Sequence, residues 1–171
     1  MIIDIHTEDN KDFVFNKVQH FLQQNDFKIS NQDQSRPWGG FFVIDESQAS
    51  YFASAFFPHL KMSDIEVTAK LSPKILIVAP NERLSWQFHY RRSEIWKVIN
   101  GQVGFVSSMN DSETPSKILV SGDCVMLKKE ERHRLIGLDS WAIIAEIWQH
   151  TDIENPSDEE DIVRLQDDFG R

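Results

Sequence analysis

A glutamine, two histidines and a glutamate stand out as residues that could bind a metal ion. Gln87 and His89 are two residues apart, so on a β-strand both side chains point to the same face of the sheet. Glu94 follows five residues after His89, and His133 begins a later apolar segment, HRLIG. Inward-facing histidines on neighbouring strands would bring these four side chains together. Their mixed nitrogen and oxygen ligands suit Zn²⁺, or Mn²⁺, Fe²⁺, Ni²⁺ or Co²⁺, with one position open for catalysis.

The same spacing also has a simpler interpretation. A buried histidine with a glutamate five residues away makes an ordinary hydrogen-bonded pair in many proteins, because buried polar groups need partners. Spacing alone leaves both interpretations open. His6, His20 and His59 have no partner pattern, and His150 is ambiguous.

The segments that carry these residues resemble short strands. After Pro73, apolar runs alternate with turn signals, including an asparagine–glycine pair at Asn100. About eight runs follow in order: ILIVA, SWQFH, EIWKVI, VGFVSS, ILV, CVML, HRLIG and WAIIAEIW. Closely spaced short strands predict an all-β barrel or sandwich of the jelly-roll kind.

Helices are predicted mainly before this region. Apolar residues at helical spacing predict a capped amphipathic helix that ends near Gln24, and a second short helix is predicted for Ser47–Phe57. Between them, FFVID (41–45) is a predicted strand. The acidic C-terminal stretch keeps four apolar residues, which indicates that it packs: Ile162, Val163, Leu165 and Phe169. We expect one domain overall, with a helical N-terminal extension over 1–35 and the main body over 36–171.

Composition limits the classes of partner. With 171 residues, 40% of them apolar and 11% aromatic, the chain can form a substantial core. A net charge of −9 argues against a nucleic-acid or anionic-membrane surface. The single cysteine, Cys124, fits a reducing compartment. No secretory signal or long apolar run is visible, so a cytoplasmic location is expected.

Two stretches resemble the motifs of the cupins, which are jelly-roll barrels. GDCVMLKKEERH is similar to the second motif, G-x5-P-x-G-x2-H, with Gly122 and His133 in register. Lys128 and Glu130 replace its usual proline and glycine. The first motif, H-x-H-x3-4-E-x6-G, is matched with glutamine in place of the first histidine by Gln87, His89, Glu94 and Gly101.

That glutamine makes the chain similar to phosphomannose isomerases, in which Gln, His, Glu and a later His ligate zinc. Three stretches resemble the isomerase domain of the bifunctional bacterial mannose-6-phosphate isomerase/mannose-1-phosphate guanylyltransferases: RPWGGFFVID, PNERLSWQFHYRRSEIWKVINGQ and EEDIVRLQDDFGR. The resemblance runs from about residue 36 to the C-terminus. It implies a cupin fold and a metal held by Gln87, His89, Glu94 and His133.

The resemblance also implies an activity, which is the metal-dependent isomerisation of mannose 6-phosphate to fructose 6-phosphate through an enediol(ate). Guanylyl transfer is not expected, because no glycine-rich nucleotide loop is present. Tyr90, Arg91 and Ile95 depart from the family's HHHRAEHW pattern, and related short proteins are called phosphomannose or phosphoheptose isomerases. Three alternatives therefore stay open: another sugar phosphate such as a heptose phosphate, a non-catalytic sugar- or metal-binding cupin, and an Fe²⁺ dioxygenase.

A phosphorylated sugar needs cationic partners, and arginine is the better match for phosphate oxygens. The candidates for substrate binding are Arg36, Lys74, Arg134, Arg164 and Arg171, with Ser85 as a pocket-lining residue. Arg91 and Arg92, in the predicted turn between ligands, are weaker candidates, and Trp38 could stack on a sugar or plug the barrel. The general base is not resolved among His150, Glu146, Asp167 and Asp168. Strand pairing between two barrels would give a homodimer, and the oligomeric state also stays open.

Overall fold

The chain folds into two antiparallel β-sheets with a few short helices. The computed structural model describes residues 3–65 and 68–170. The strands are β1 (Ile29–Asp33), β2 (Gly39–Ile44), β3 (Lys74–Val78), β4 (Trp86–Phe88), β5 (Arg92–Asn100), β6 (Gln102–Ser108), β7 (Lys117–Val120), β8 (Cys124–Leu127), β9 (Arg132–Gly137), β10 (Ala142–His150) and β11 (Val163–Gln166). The helices are α1 (Lys11–Gln24), α2 (Ala49–Phe56) and α3 (Met62–Ile65). The eight strands predicted after Pro73 are present in order as β3 to β10.

The two sheets have the interleaved strand order of a jelly roll. The larger sheet runs β1-β2-β3-β10-β5-β8, and the smaller runs β11-β4-β9-β6-β7. Sequential strands alternate between the sheets from β3 to β6 and from β7 to β11, whereas β6 and β7 form a hairpin within the smaller sheet. The predicted all-β class is confirmed.

Alternation along each strand separates an interior face from an exterior one. On β5, Trp96 and Val98 face the apolar interior between the sheets, whereas Ile95 belongs to a second core on the outer side of the larger sheet. Because side chains alternate with period two, Glu94 shares the interior face with Trp96. The polar site described below is thus at one end of an otherwise apolar barrel interior.

The helices cover the outer face of the larger sheet. Helix α1 begins at the N-cap Asn10, whose side chain accepts a hydrogen bond from the Phe13 amide at 2.9 Å. Its buried residues pack with α2 in the outer core, which includes Phe42 and Ile77 of the sheet. This sheet is apolar on both faces, which explains why ILIVA shows no hydrophobic–polar alternation. No helix in the described part of the chain is both long and apolar enough to span a bilayer.

The two ends of the chain are joined to the barrel by strands. Residues 29–33 form β1, which pairs with β2 in the larger sheet. Strand β1 thus lies within the predicted N-terminal extension, residues 1–35, and belongs to the larger sheet of the barrel. The boundary at residue 35 between the extension and the main body stays a prediction. At the other end, β11 pairs with β4 and fixes the C-terminal stretch beside the strand that carries Gln87.

Candidate metal centre and pocket

Three of the four predicted metal ligands meet inside the barrel. His89 directly follows β4, Glu94 is in β5 and His133 is in β9. One potential ligand atom from each residue lies within 4.8 Å of the others, and each residue is 2% exposed. Two different sheets supply these residues, so only the closed barrel brings them together.

Backbone carbonyls fix the orientation of both imidazoles. His89 Nδ1 lies 2.5 Å from the Asp161 carbonyl oxygen, and His133 Nδ1 lies 2.8 Å from the Glu131 carbonyl oxygen. A carbonyl oxygen can only accept, so each Nδ1 carries the proton and each Nε2 presents a lone pair. Those lone pairs face Glu94: His89 Nε2 is 3.2 Å from Oε1, and His133 Nε2 is 3.4 Å from Oε2.

The pKa values of all three side chains favour the deprotonated forms, which are the forms that bind a metal ion. Burial lowers the pKa of His89 to about 3 and lowers the pKa of His133 as well. Burial would raise the pKa of Glu94, but the neighbouring His89 and the Arg92 guanidinium outweigh it and lower that pKa. Buried Glu94 Oε2 and His133 Nε2 have no hydrogen-bond partner among the described residues. A divalent cation would satisfy both atoms, so these residues fit a metal centre.

Arg92 is the functional residue that sequence reasoning underestimated. It is buried, its Nε donates to Glu94 Oε1 at 2.7 Å, and its Nη2 donates to His89 Nε2 at 3.1 Å. Its guanidinium also lies 3.6 Å from the Trp148 ring centroid. Arg92 is the first residue of β5 and precedes Glu94 by two, so both face inward. That period-two spacing would have identified Arg92 had the strand been predicted to begin two residues earlier.

Gln87 lies beside the cluster, and its role as a ligand stays a prediction. It is paired across the strands with His133. Its Oε1 accepts a hydrogen bond from the buried Ser85 hydroxyl at 2.5 Å. That hydroxyl orients the amide oxygen, which is the atom that would bind a cation.

Asp161 connects the C-terminal stretch to the loop that follows His89. Its carboxylate accepts hydrogen bonds from the Tyr90 and Arg91 amides at 3.0 and 2.9 Å, and from the Ser157 hydroxyl at 2.6 Å. Its carbonyl is the group that holds His89. No local pattern indicated this role, because the contacts span about 70 residues of chain.

A pocket opens beside Glu94 at the end of the barrel. Four of the six predicted substrate-binding residues line it together with Gln87, and these four are Arg36, Lys74, Ser85 and Arg164. The lining also contains four carboxylates and several aromatic rings: Glu94, Glu146, Glu159, Glu160, Trp38, Phe41, Trp96 and Trp148. Cationic, acidic and aromatic groups therefore surround one space, although the net charge of the chain is negative.

Arg134 is not brought to this pocket, and Arg171 lies outside the described residues. Arg134 follows His133 directly, so its side chain leaves the opposite face of β9. There it is 1% exposed, and it donates to the Leu84 carbonyl at 3.1 Å and to Glu113 at 2.8 Å. The structure thus engages Arg134 with Leu84 and Glu113, and its role in substrate binding stays a prediction.

Replacing Arg134 by methionine is expected to lower the free energy of unfolding by about 1–3 kcal/mol, because buried polar partners lose their donor. The Michaelis constant for a sugar phosphate should stay unchanged. Chemical denaturation and steady-state kinetics measure the two effects. Arg36→Met is the matched control. Because Arg36 lines the pocket, this variant should have a raised Michaelis constant and an unchanged free energy of unfolding. A raised Michaelis constant with wild-type stability in the Arg134 variant would contradict this assignment.

Among the four candidate bases, only Glu146 lines the pocket. It is 5% exposed, and its Oε1 accepts a hydrogen bond from Trp96 Nε1 at 2.9 Å. Burial, followed by the negative charge of Glu94, raises its pKa to about 7. The others are engaged elsewhere: His150 contacts Ser72, Asp168 pairs with Arg83, and Asp167 is not part of the lining.

Comparison with family models identifies the family of this chain. The family model described as mannose-6-phosphate isomerase C-terminal matches residues 45–167, well over half of the chain. The chain belongs to this family. The match contains β3 to β11 and all four predicted metal ligands. No curated protein sequence matches the chain.

Solved structures show the same fold at low sequence identity. The Staphylococcus aureus capsular polysaccharide assembling protein CapF superposes with a TM-score of 0.54 at 14% identity, over 80% of this chain and 34% of that one. An oxalate oxidase superposes with a TM-score of 0.51 at 17% identity, over 81% and 60%. The Lactobacillus farciminis oxalate decarboxylase superposes with a TM-score of 0.50 at 17% identity, over 83% and 34%. This family member therefore has the predicted cupin-type barrel, and it spans between a third and two thirds of the length of these three neighbours.

Proposed function

We propose that this family member is a metal-dependent aldose–ketose isomerase that converts mannose 6-phosphate to fructose 6-phosphate. One observation carries the proposal. A buried cluster that fits a divalent cation adjoins a pocket that also contains a carboxyl group and cationic side chains. The family match supports the same reaction.

His89, Glu94 and His133 would hold the cation, with the Gln87 amide oxygen as the fourth ligand. The mixed nitrogen and oxygen set favours Zn²⁺, while Mn²⁺, Fe²⁺, Ni²⁺ and Co²⁺ accept the same ligands. A bound cation supplies positive charge beside the sugar oxygens as negative charge develops on them. Arg92 holds Glu94 Oε1 in place and adds a second positive charge at this end of the pocket.

Glu146 would move the proton between the two carbon atoms. Its carboxylate takes the proton from the carbon next to the carbonyl, and the C–H electron pair becomes the double bond of an enediolate. The same carboxyl then returns the proton to the neighbouring carbon, and the hydroxyl proton on the second oxygen passes to the first, so that the second oxygen becomes the new carbonyl and the isomerisation involves no net oxidation. The bond from Trp96 fixes one oxygen of the group, and a pKa near neutrality suits a proton carrier that must both accept and donate.

The aromatic lining would position the sugar and exclude water. Trp38, Phe41 and Trp148 provide apolar surface close to the polar groups of the pocket. Lys74 and Arg36 are near this surface and provide positive charge for a phosphate group. The local cations explain how a chain with a charge of −9 could bind an anionic substrate.

A coupled assay that detects fructose 6-phosphate formed from mannose 6-phosphate tests the proposal. Turnover by metal-loaded protein, lost with chelator and restored by Zn²⁺, is the expected result. A panel of hexose and heptose phosphates run in parallel determines the sugar, and an oxygen electrode detects any dioxygenase reaction. Metal binding without turnover on any member of the panel would disprove the isomerase proposal and support a binding role.

A further inference from the structure

Trp148 carries a buried hydrogen-bond donor at the wall of the pocket. The residue lines the pocket and is 5% exposed, and its Nε1 has no hydrogen-bond partner among the described residues. Three other indoles each donate to an oxygen at 2.9 Å: Trp86 to the Asp111 carbonyl, Trp96 to Glu146 and Trp141 to the Asp9 carbonyl. A buried donor without an acceptor destabilises a folded protein. Such a donor in the wall of a pocket therefore indicates that a ligand supplies the acceptor.

Two cations cover the faces of the Trp148 ring. Lys74 Nζ lies 3.4 Å from the ring centroid, and the central carbon of the Arg92 guanidinium lies 3.6 Å from it. The two groups cannot share a face, because groups this close to one centroid would overlap. Strands β3 and β5, which carry them, also flank β10 on opposite sides. Cation–π contacts thus hold the indole in place, and only the edge of the ring, where Nε1 lies, is left to contact a ligand.

The position of Trp148 on β10 places this donor beside the reacting groups. Trp148 is paired across the strands with Glu94, and Trp96 is paired with Glu146, so two indoles and two carboxyl groups lie side by side on the inner face. Trp96 donates to its cross-strand partner. Glu94 is engaged by other groups, because Arg92 donates to its Oε1 and its Oε2 is a proposed metal ligand. The acceptor for Trp148 is therefore left to a ligand that lies close to Glu94 and Glu146.

We propose that the Trp148 Nε1–H group donates a hydrogen bond to an oxygen on one of the two reacting carbons of the sugar. This inference deepens the proposed function and rests on it for the identity of the sugar. Negative charge develops on these oxygens as the enediolate forms, so a donor already held in position stabilises the reacting state more than the starting sugar. Trp148 thus selects for sugars with an oxygen at this position and against analogues that lack it.

Nitrogen-15 spectra of the zinc-loaded protein test the donor directly. The chain contains five tryptophans, and triple-resonance experiments assign their indole N–H signals. Saturating mannose 6-phosphate should move the Trp148 signal downfield, as expected for an N–H group that gains an acceptor. The Trp96 and Trp141 signals should move less, because these donors are already bonded within the protein. A Trp148 signal that stays in place in ligand-saturated protein would overturn the inference.

Binding measurements on Trp148→Phe identify the oxygen. The change keeps an aromatic ring between the two cations and removes the N–H donor. In calorimetry it should weaken mannose 6-phosphate binding about three- to tenfold. The loss should disappear with either the 2-deoxy or the 1,5-anhydro analogue, whichever lacks the acceptor oxygen, and persist with the other. Trp141→Phe, which removes an indole from the outer core, should bind all three ligands as the wild-type protein does.

Equal weakening of all three ligands by Trp148→Phe would contradict the inference, because it would indicate lost packing and not the loss of one hydrogen bond. If this variant is unstable, the spectra of the wild-type protein still give the answer. Isomerase turnover with no response at Trp148 would remove only the donor, and a response at Trp148 without turnover would remove only the isomerase. Zinc-loaded protein that binds none of the three ligands would overturn both.

Discussion

Replacing His133 by alanine is expected to remove most of the bound metal and to reduce isomerase activity by at least about a thousandfold. His133 Nε2 is buried, carries a free lone pair and has no hydrogen-bond partner among the described residues. The substitution therefore removes a ligand without breaking a side-chain hydrogen bond other than the one to the Glu131 carbonyl. Elemental analysis of protein purified without chelator or immobilised metal measures the loss.

His59→Ala is the matched control for this experiment, because His59 is exposed and far along the chain from the cluster. The control variant should keep wild-type metal content and activity. Full metal content in a folded His133→Ala protein would show that the ligand set is wrong. The same measurement on the wild-type protein identifies the metal.

Replacing Glu146 by glutamine is expected to lower kcat about 10²- to 10⁴-fold while metal content stays unchanged. The glutamine oxygen can still accept the hydrogen bond from Trp96, so the change removes the proton-carrying group and little else. Steady-state kinetics with mannose 6-phosphate measures the effect. Glu160→Gln, in the same pocket, should keep kcat within about twofold. A Glu146→Gln enzyme with wild-type kcat would require a different base.

The pH dependence gives a second test of Glu146. A base acts only when deprotonated, so kcat/KM should rise with pH and level off above the pKa of Glu146. Burial, the larger cause of the raised pKa, does not depend on the metal, whereas a bound cation offsets the negative charge of Glu94. The inflection is therefore expected at or somewhat below pH 7. The residual activity of Glu146→Gln should lack this acidic limb.

Arg92 provides positive charge to the cluster around Glu94, and the proposed metal ion would provide more on the other side of the carboxylate. Arg92 is part of the chain and bonds one oxygen of Glu94 and the Nε2 of His89. Among the described residues, the second oxygen of Glu94 and the Nε2 of His133 have no hydrogen-bond partner. These two atoms are therefore available for a metal ion, whereas Arg92 would have to release the Nε2 of His89 before His89 could bind the same ion.

The sequence by itself determined the order of the strands and identified the candidate metal cluster. Strand order along the chain follows from local alternation and turn residues, whereas the spacing of His89, Glu94 and His133 left the metal site open until the resemblance to phosphomannose isomerases favoured it. These signals are local, because a strand's period of two assigns its side chains to faces before any partner strand is known. The same rule applied to His133 and Arg134 would have excluded Arg134 from the pocket, since adjacent residues point to opposite faces.

Tertiary structure decided the rest of the site. The role of Arg92 depended on β5 beginning at residue 92, and strand ends are set by pairing with β10 and not by local pattern. Asp161 and Glu159 act across 70 to 85 residues of chain, on the loop after His89 and on Lys74. Such contacts carry no periodic signal, because they arise only when β11 pairs with β4 and closes the C-terminal stretch over the barrel. Glu146 likewise became the candidate base through burial beside Glu94, which is a property of the closed barrel and of no single segment.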